Sequence, residues 1–298
     1  MPNKSTKTFY QEKDRFTFDN LIKYAVAPRP ICFASTIDTA GNVNLSPFSY
    51  FNFMSQNPPI CVFSPLSRMR DGSHKHTLEN IQEVPEVVIN IVNFSMVQQQ
   101  SLASTEYAKG INEFTKAGLH EVPSLHIKPA RVAEAPIQLE CKVREVIEIA
   151  SIPGAGNLVI AEVICMHIQE HLLTADNQLH QADLDLVARL GGDWYCRVTT
   201  DNLFQVPKPL RKLGIGIDQL PEHIRKSPYL SGNHLALLAN IEHIPTPDPQ
   251  FHFQDIWSTI SKEPINLDDL NQEISHNMAM KYLDNGDLNT AWQILLIR

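Results

Sequence analysis

The sequence predicts a mainly β, antiparallel barrel with peripheral helices and a helical C-terminal extension, and three observations carry that prediction. From Tyr24 to about Trp194, short apolar and β-branched runs alternate with turn chemistry. Few helical periods separate those runs, which argues against a doubly wound parallel sheet. Beyond residue 205 the pattern changes, first to proline punctuation and then to helical periodicity.

The elements follow in chain order. Residues 31–37 (ICFASTI) form an apolar, β-branched run, and 38–44 (DTAGNVN) supply the turn of a hairpin. Residues 45–55 (LSPFSYFNFMS) alternate small polar and aromatic side chains, as one half-buried strand would. Pro58 and Pro59 punctuate before 60–64 (ICVFS), which reads as a buried strand. Further strands are expected at 86–93, 137–150 and 158–168. A short helix is expected from Thr77 to Glu83, with Thr77 as its N-cap, and a second over 95–107. The motifs VPKPL, LPEHI, KSPYL and IPTPDPQ mark an irregular arm over 206–250, following a barrel domain over 1–205. Residues 251–298 read as two or three helices. In the last of them Asp287 is placed to cap, and Leu288, Trp292, Leu295 and Leu296 share a face.

Composition narrows the function. Apolar residues make up 43% and charged residues 19% of the 298, enough for a substantial core and against global disorder. The net charge of −8 disfavours non-specific binding to nucleic acid or anionic membrane. No apolar run reaches the ~20 residues that span a bilayer, and the polar start MPNKSTKTFYQEKDRF lacks the core of a secretory signal. The five cysteines, at 32, 61, 141, 165 and 196, form no CxxC pair and read as free thiols of a cytoplasmic protein.

Much familiar chemistry is missing. The chain has no phosphate-binding GxxxxGK[ST] loop, HExxH or GxSxG, and neither LGIGIDQ nor PGAGN carries the third glycine of a dinucleotide loop. His74/His76 and His167/His171 are close pairs without an evident third ligand, so no metal is expected. The acidic pairs Asp183/Asp185 and Asp268/Asp269 sit in hydrophilic surroundings and are expected to face solvent.

One cluster remains. FSPLSRMRDGSHKHT (63–77) gathers Ser64, Ser67, Arg68, Arg70, Ser73, Lys75 and Thr77 at a strand end of an acidic chain. Hydroxyls and cations so collected suit a phosphate dianion; read alone, the segment is equally an exposed basic turn. Upstream, SPFSYFN (46–52) offers backbone N–H groups and aromatic rings to a flat heterocycle, or simply packs a core. The order of RPICFASTIDTAGNVNLSPFSYFNFMSQNPPICVFSP (29–65), KHTLENI (75–81), EVVINIV (86–92), INEFTKAGL (111–119), EAPIQLEC (134–141), LVIAEVICMHI (158–168) and ARLGGDWY (188–195) resembles the flavin reductase-like domain, the FMN-binding split barrel family. Residues 213–242 look like an extension found in one branch of it.

The resemblance implies three groups of cofactor contacts. Ser35 and Thr36 would lie beside the flavin, and Ser49, Tyr50, Phe51 and Asn52 would line its ring edge. Ser64, Ser67, Arg68, Lys75 and Thr77 would hold the phosphate, with Arg189 completing the pocket. Arg70 is the alternative to Arg68. Where the family usually reads Lys-Asp-Thr, this chain has Lys75-His76-Thr77. The implied activity is that of an FMN-binding oxidoreductase, with FMN preferred to FAD. Foremost is an NAD(P)H-dependent flavin reductase, with NADH or NADPH as donor and no side chain assigned to catalysis. The alternatives are an FMN enzyme with another acceptor and a non-catalytic flavin-binding protein. The implied partners are a second copy of the chain in a homodimer and a monooxygenase receiving reduced flavin.

Overall fold

The computed structural model describes residues 5–209, 213–258, 265 and 270–297. They fall into two compact units, Met1–Phe204 and Gln205–Arg298. In the first unit, helix α1 (Arg15–Ala25) precedes β1 (Arg29–Pro30), β2 (Cys32–Ile37), β3 (Val43–Phe48), β4 (Phe51–Gln56) and β5 (Pro59–Phe63). Then come α2 (His76–Glu83), β6 (Glu86–Ile91), α3 (Val97–Ala103), α4 (Glu113–Ala117), β7 (Glu121–Val122) and β8 (Arg131–Val132). The long β9 (Ile137–Glu148) and β10 (Asn157–Ile168) follow, and β11 (Val187–Arg189) and β12 (Tyr195–Arg197) close the unit.

The main sheet has seven antiparallel strands in the order β3-β2-β6-β9-β10-β5-β4. Its two edges, β3 and β4, share no ladder among the described residues, so the expected barrel is not closed by hydrogen bonds. Each edge strand is instead one arm of a hairpin: β3 pairs with β2, and β4 with β5. The chain passes between the edges through a bend at Ser49–Tyr50. The single strand expected over 45–55 is thus two strands. Aromatic alternation persists across the bend and conceals it, Phe48 lying 5.1 Å from Phe63 in the core while Phe51 packs half-buried against the same cluster.

Both faces of this sheet are covered at β2, which is why its sequence reads as a nearly unbroken apolar run. Cys32 and Ala34 enter a core with Phe48, Phe63, Leu78, Ile81 and Val159, whereas Ile31 and Phe33 enter another with Leu45, Met96 and Phe114. α2 supplies Leu78 and Ile81 to the first, α3 and α4 supply Ala103 and Phe114 to the second, and a strand buried on both sides has no polar face to alternate.

Two helix expectations are corrected. α2 begins at His76, so Thr77 is not its cap: Thr77 Oγ1 donates instead to Asn44 Oδ1 at 2.6 Å, a bond across 33 residues of chain. α3 stops at Ala103 rather than 107, because Ser104 turns its backbone N–H and its hydroxyl back onto the Ser101 carbonyl.

The second unit is helical: α5 (Glu222–Arg225), α6 (Gly232–Ala239), α7 (Phe253–Ser258), α8 (Gln272–Asp284) and α9 (Leu288–Leu296). The proline-punctuated stretch contributes Leu220, Ile224, Leu230 and Leu238 to the same core that holds Phe253, Met278, Leu283, Trp292 and Leu295. Asp287 caps α9 as expected, accepting from Thr290 N at 3.0 Å. Asp268 and Asp269 lie outside the described residues. Among the described residues no helix is long and apolar enough to cross a membrane.

Candidate functional site

The cationic loop after β5 is a folded turn. Arg68 N–H donates to the Ser73 carbonyl and Gly72 N–H to the Arg68 carbonyl, each at 2.8 Å. Asp71 ties the turn from within, accepting from Ser73 N at 2.9 Å and Ser73 Oγ at 2.6 Å; these bonds hold its carboxyl down at about 2. Gly72 has φ +72°, the left-handed region that this turn requires.

The turn aims one of its two arginines into a cleft. Arg68 donates to Ser73 Oγ at 3.2 Å and to the His74 carbonyl, and it lines the cleft with Lys75, His76, Ser46, Pro47 and the 103–107 segment. Arg70 bonds Asp71 at 3.3 Å and does not line it. The Lys75 ammonium sits 5.7 Å above the Phe48 ring. Burial, opposed by Glu106 and reinforced by Arg68, pulls Lys75 below its ordinary range. Burial and the neighbouring Arg68 likewise lower His76, so at neutral pH this histidine stands as an uncharged neighbour of Arg68, 3.4 Å away.

The floor is a buried relay that sets side chains in place. Glu113, 4% exposed, accepts from Asn44 Nδ2 at 2.9 Å and Leu45 N at 3.0 Å, while Asn44 Oδ1 accepts from Thr77. Burial raises the Glu113 carboxyl, and those bonds oppose the rise. Asn44 spends both ends of its amide here, so it orients the wall rather than offering a ligand contact.

A second hollow is lined by Ile31, Pro47, Phe48, Ser49, Gln100, Ser104, Arg189 and Tyr195; Pro47 and Ser104 border both spaces. Arg189 lies over the Tyr195 ring at 4.5 Å, donates to the Gly192 carbonyl and approaches Asp193 at 3.8 Å.

The sequence-predicted residues are therefore only partly gathered. Arg68 and Lys75 line the first space, Ser49 and Arg189 the second. Ser35, Thr36 and Thr77 are fully buried: Thr36 accepts from Asn80 Nδ2 at 3.2 Å, and Ser35 Oγ has no hydrogen-bond partner among the described residues. Ser64 and Ser67 are buried under the turn, their N–H groups held by the Tyr50 and Ala155 carbonyls. Tyr50 is 39% exposed beneath the Arg29 guanidinium; Phe51 is half-buried and Asn52 exposed on the edge strand, and none of the three lines either space. Sequence reasoning missed Ser46, Ser104, Thr105, Glu106 and Tyr107. The early stop of α3 exposes the last four, and only the serine pair at 101 and 104 hinted at it.

The model of the flavin reductase like domain matches residues 24–183. Among solved structures, nitrilotriacetate monooxygenase component B from Bacillus cereus is similar at 27% identity and a TM-score of 0.63, covering 68% of this chain and 100% of its own. The 2-nitrobenzoate 2-nitroreductase NbaA of Pseudomonas fluorescens is similar at 29% identity and 0.60, covering 70% and 100%. A protein of Shewanella frigidimarina with a split barrel domain matches at 25% identity and 0.58, covering 68% and 100%. The matched segment holds β2 to β10 and with them the whole cationic cleft, and on that ground the chain belongs to the flavin reductase like domain family.

Proposed function

We propose that this protein is an FMN-binding oxidoreductase, a flavin reductase that draws hydride from NADH or NADPH. The observation that carries the reading is the cleft in which Arg68 and Lys75 converge, joined by shared walls to a hollow edged by Phe48, Ser49 and Arg189. A lysine held below its ordinary range by burial and by a like-charged neighbour gains from an arriving dianion, whose charge offsets both penalties. The residues present thus fit a flavin mononucleotide, with its phosphate at Arg68 and Lys75 and its ring toward Pro47, Phe48 and Ser49.

When bound, the flavin supplies the hydride chemistry; the protein supplies position and electrostatics. Arg68, fixed by the Ser73 and His74 bonds, presents its guanidinium already oriented, so little order is lost on binding. Phe48 and Pro47 exclude water from one side of the hollow. Arg189, steadied on Tyr195, places a cation where a second anionic group can dock. Exposed Phe53, Met54, Ile164 and Met166 lie on β4 and β10, and their exposure supports a homodimer. A monooxygenase is the proposed recipient of reduced flavin, in the cytoplasm, a reading supported by the similarity to a monooxygenase component B.

A second reading, an FMN enzyme with its own organic acceptor, is favoured by a third hollow lined by Phe94, Val97, Arg189, Tyr195 and Arg197. There the Arg197 guanidinium covers the Phe94 ring at 3.8 Å and is itself paired with Asp185 at 2.6 and 2.9 Å, so Arg189 is the cation left to meet an aromatic acid. Anaerobic titration of the FMN-loaded protein with NADH and NADPH tests the donor, and sustained reduction of added free flavin separates the readings by acceptor. Rapid bleaching of the flavin bands supports the reductase, and bands that persist exclude it.

A further inference from the structure

Three potential metal-binding side chains meet far from the cationic turn in sequence, on the β9–β10 ladder. Glu140 lies directly opposite Cys165 in the register, and His167 is two residues further along β10. A bulge creates this meeting. Val163 pairs with Cys141, yet Cys165 pairs with Glu140, so Ile164 is an extra residue that reverses the facing of everything after it. Without the bulge, Cys165 would face the core with Cys141; with it, Cys165 and His167 share the face of Glu140.

The donor atoms crowd onto one point. His167 Nε2 lies 2.7 Å from Glu140 Oε1 and 3.6 Å from Cys165 Sγ, and the three ligand atoms fall within 4.8 Å of one another. This is not a nucleophile–base–carboxylate relay, which needs the thiol and the carboxylate on opposite ring nitrogens. Here both address the same nitrogen, which holds a single proton or a single lone pair and serves one of them at a time. A cation at their centre serves all three.

We propose that Glu140, Cys165 and His167 form a binding site for a borderline-soft divalent cation, Zn2+ in the first instance, with a fourth position open to solvent. The donor set of one thiolate, one imidazole and one carboxylate is the mixture zinc accepts. Two of the three donor spacings can be set against that geometry. Tetrahedral zinc places a thiolate sulfur and an imidazole nitrogen roughly 3.6 Å apart and an imidazole nitrogen and carboxylate oxygen roughly 3.3 Å apart. The first spacing is present, and the second needs His167, which is 17% exposed, to swing by about half an ångström from its present contact. Glu140 is fully buried and is held in one orientation by Leu125 N at 2.7 Å and His126 N at 2.8 Å, the outer-sphere support that ligating carboxylates require. Cys165 is partly exposed, which gives an ion a way in.

The test is calorimetric titration of the untagged, full-length protein with ZnCl2, paired with the absorption spectrum of its Co2+ adduct. One equivalent is expected, with a thiolate-to-cobalt charge-transfer band. Cys165→Ser should abolish the band, and both Cys165→Ser and His167→Gln should weaken zinc binding at least about tenfold, while far-UV circular dichroism stays unchanged. Cys196→Ser, which alters the other partly exposed thiol, should bind like the parent. Substoichiometric binding, or a Cys165→Ser protein that binds zinc as the parent does, would overturn the proposal and leave a histidine–carboxylate hydrogen bond only.

Discussion

Arg68 and Lys75 are two cations of unlike standing. Arg68 is already engaged by Ser73 and His74, whereas Lys75 is held over Phe48 with its charge penalised by burial. Each charge-assisted bond to a phosphate is worth roughly 1.5–3 kcal/mol, so Lys75→Ala and Arg68→Ala should each weaken FMN binding by about 10- to 100-fold. Quenching of flavin fluorescence reads this directly, and the thermal midpoint should scarcely move. Arg70→Ala should leave the affinity unchanged, since that side chain is bound to Asp71 at the surface. At this scale the sequence was legible in residue type but not in direction. The run of hydroxyls and cations marked the turn, yet Thr77 and Thr36 point into the interior, because their partners Asn44 and Asn80 lie more than thirty residues away in the chain. Nothing local announces a partner at that distance.

The elements were easiest to read where the apolar pattern is local. β2, β5, β6, β9 and β10 stand within about two residues of their predicted runs. β2 and β6 do so because strands buried on both faces are mostly apolar, and β9 and β10 because apolar, β-branched positions recur along them even where charged residues face solvent. Bends and stops were harder. The Ser49–Tyr50 bend leaves the aromatic period intact, and the end of α3 depends on one serine folding its hydroxyl onto a carbonyl. The bulge at Ile164 is silent in the sequence, since Val163, Ile164 and Cys165 all suit a strand. The turn from 68 to 73 is the element on which flavin affinity should rest. Gly72→Ala places its new Cβ in ordinary van der Waals contact, the nearest atom being Pro153 Cγ at 3.6 Å, so its cost is the left-handed backbone alone. That is about 1–2 kcal/mol. FMN affinity should fall with it, by less than in Arg68→Ala, and the same fluorescence titration ranks the two.

At the scale of the whole molecule, each unit carries its own core: those of the first lie within residues 31–187 and that of the second within 220–295. A fragment of residues 1–204 should therefore fold cooperatively and bind FMN close to the parent affinity, as a circular dichroism melt and a flavin titration would report; a fragment that melts without a transition refutes this. The second unit holds a different control. His276 is 2% exposed, bonds Ser227 Oγ at 2.7 Å and is pushed down to about 4 by burial and by His223 nearby. The fold thus prefers the neutral ring. Its stabilisation is complete above pH ~6.5, the unfolded value, and is lost as pH falls through about 4, a swing on the order of 3 kcal/mol. His276→Gln should flatten the pH dependence of the second unit's melting over that window.

The cysteines give one more consequence. All five lie before residue 204, and Cys32, Cys61 and Cys141 sit in one core, with Cys61 raised to about 11 by burial and the other two raised as well. A thiolate is the reactive form, so a soluble alkylating reagent meets these three only when the sheet opens. The protein therefore carries an internal stopwatch. Modification of Cys165 and Cys196 marks the start, and the slow modification of the remaining thiols counts the openings of the first unit while remaining blind to the second.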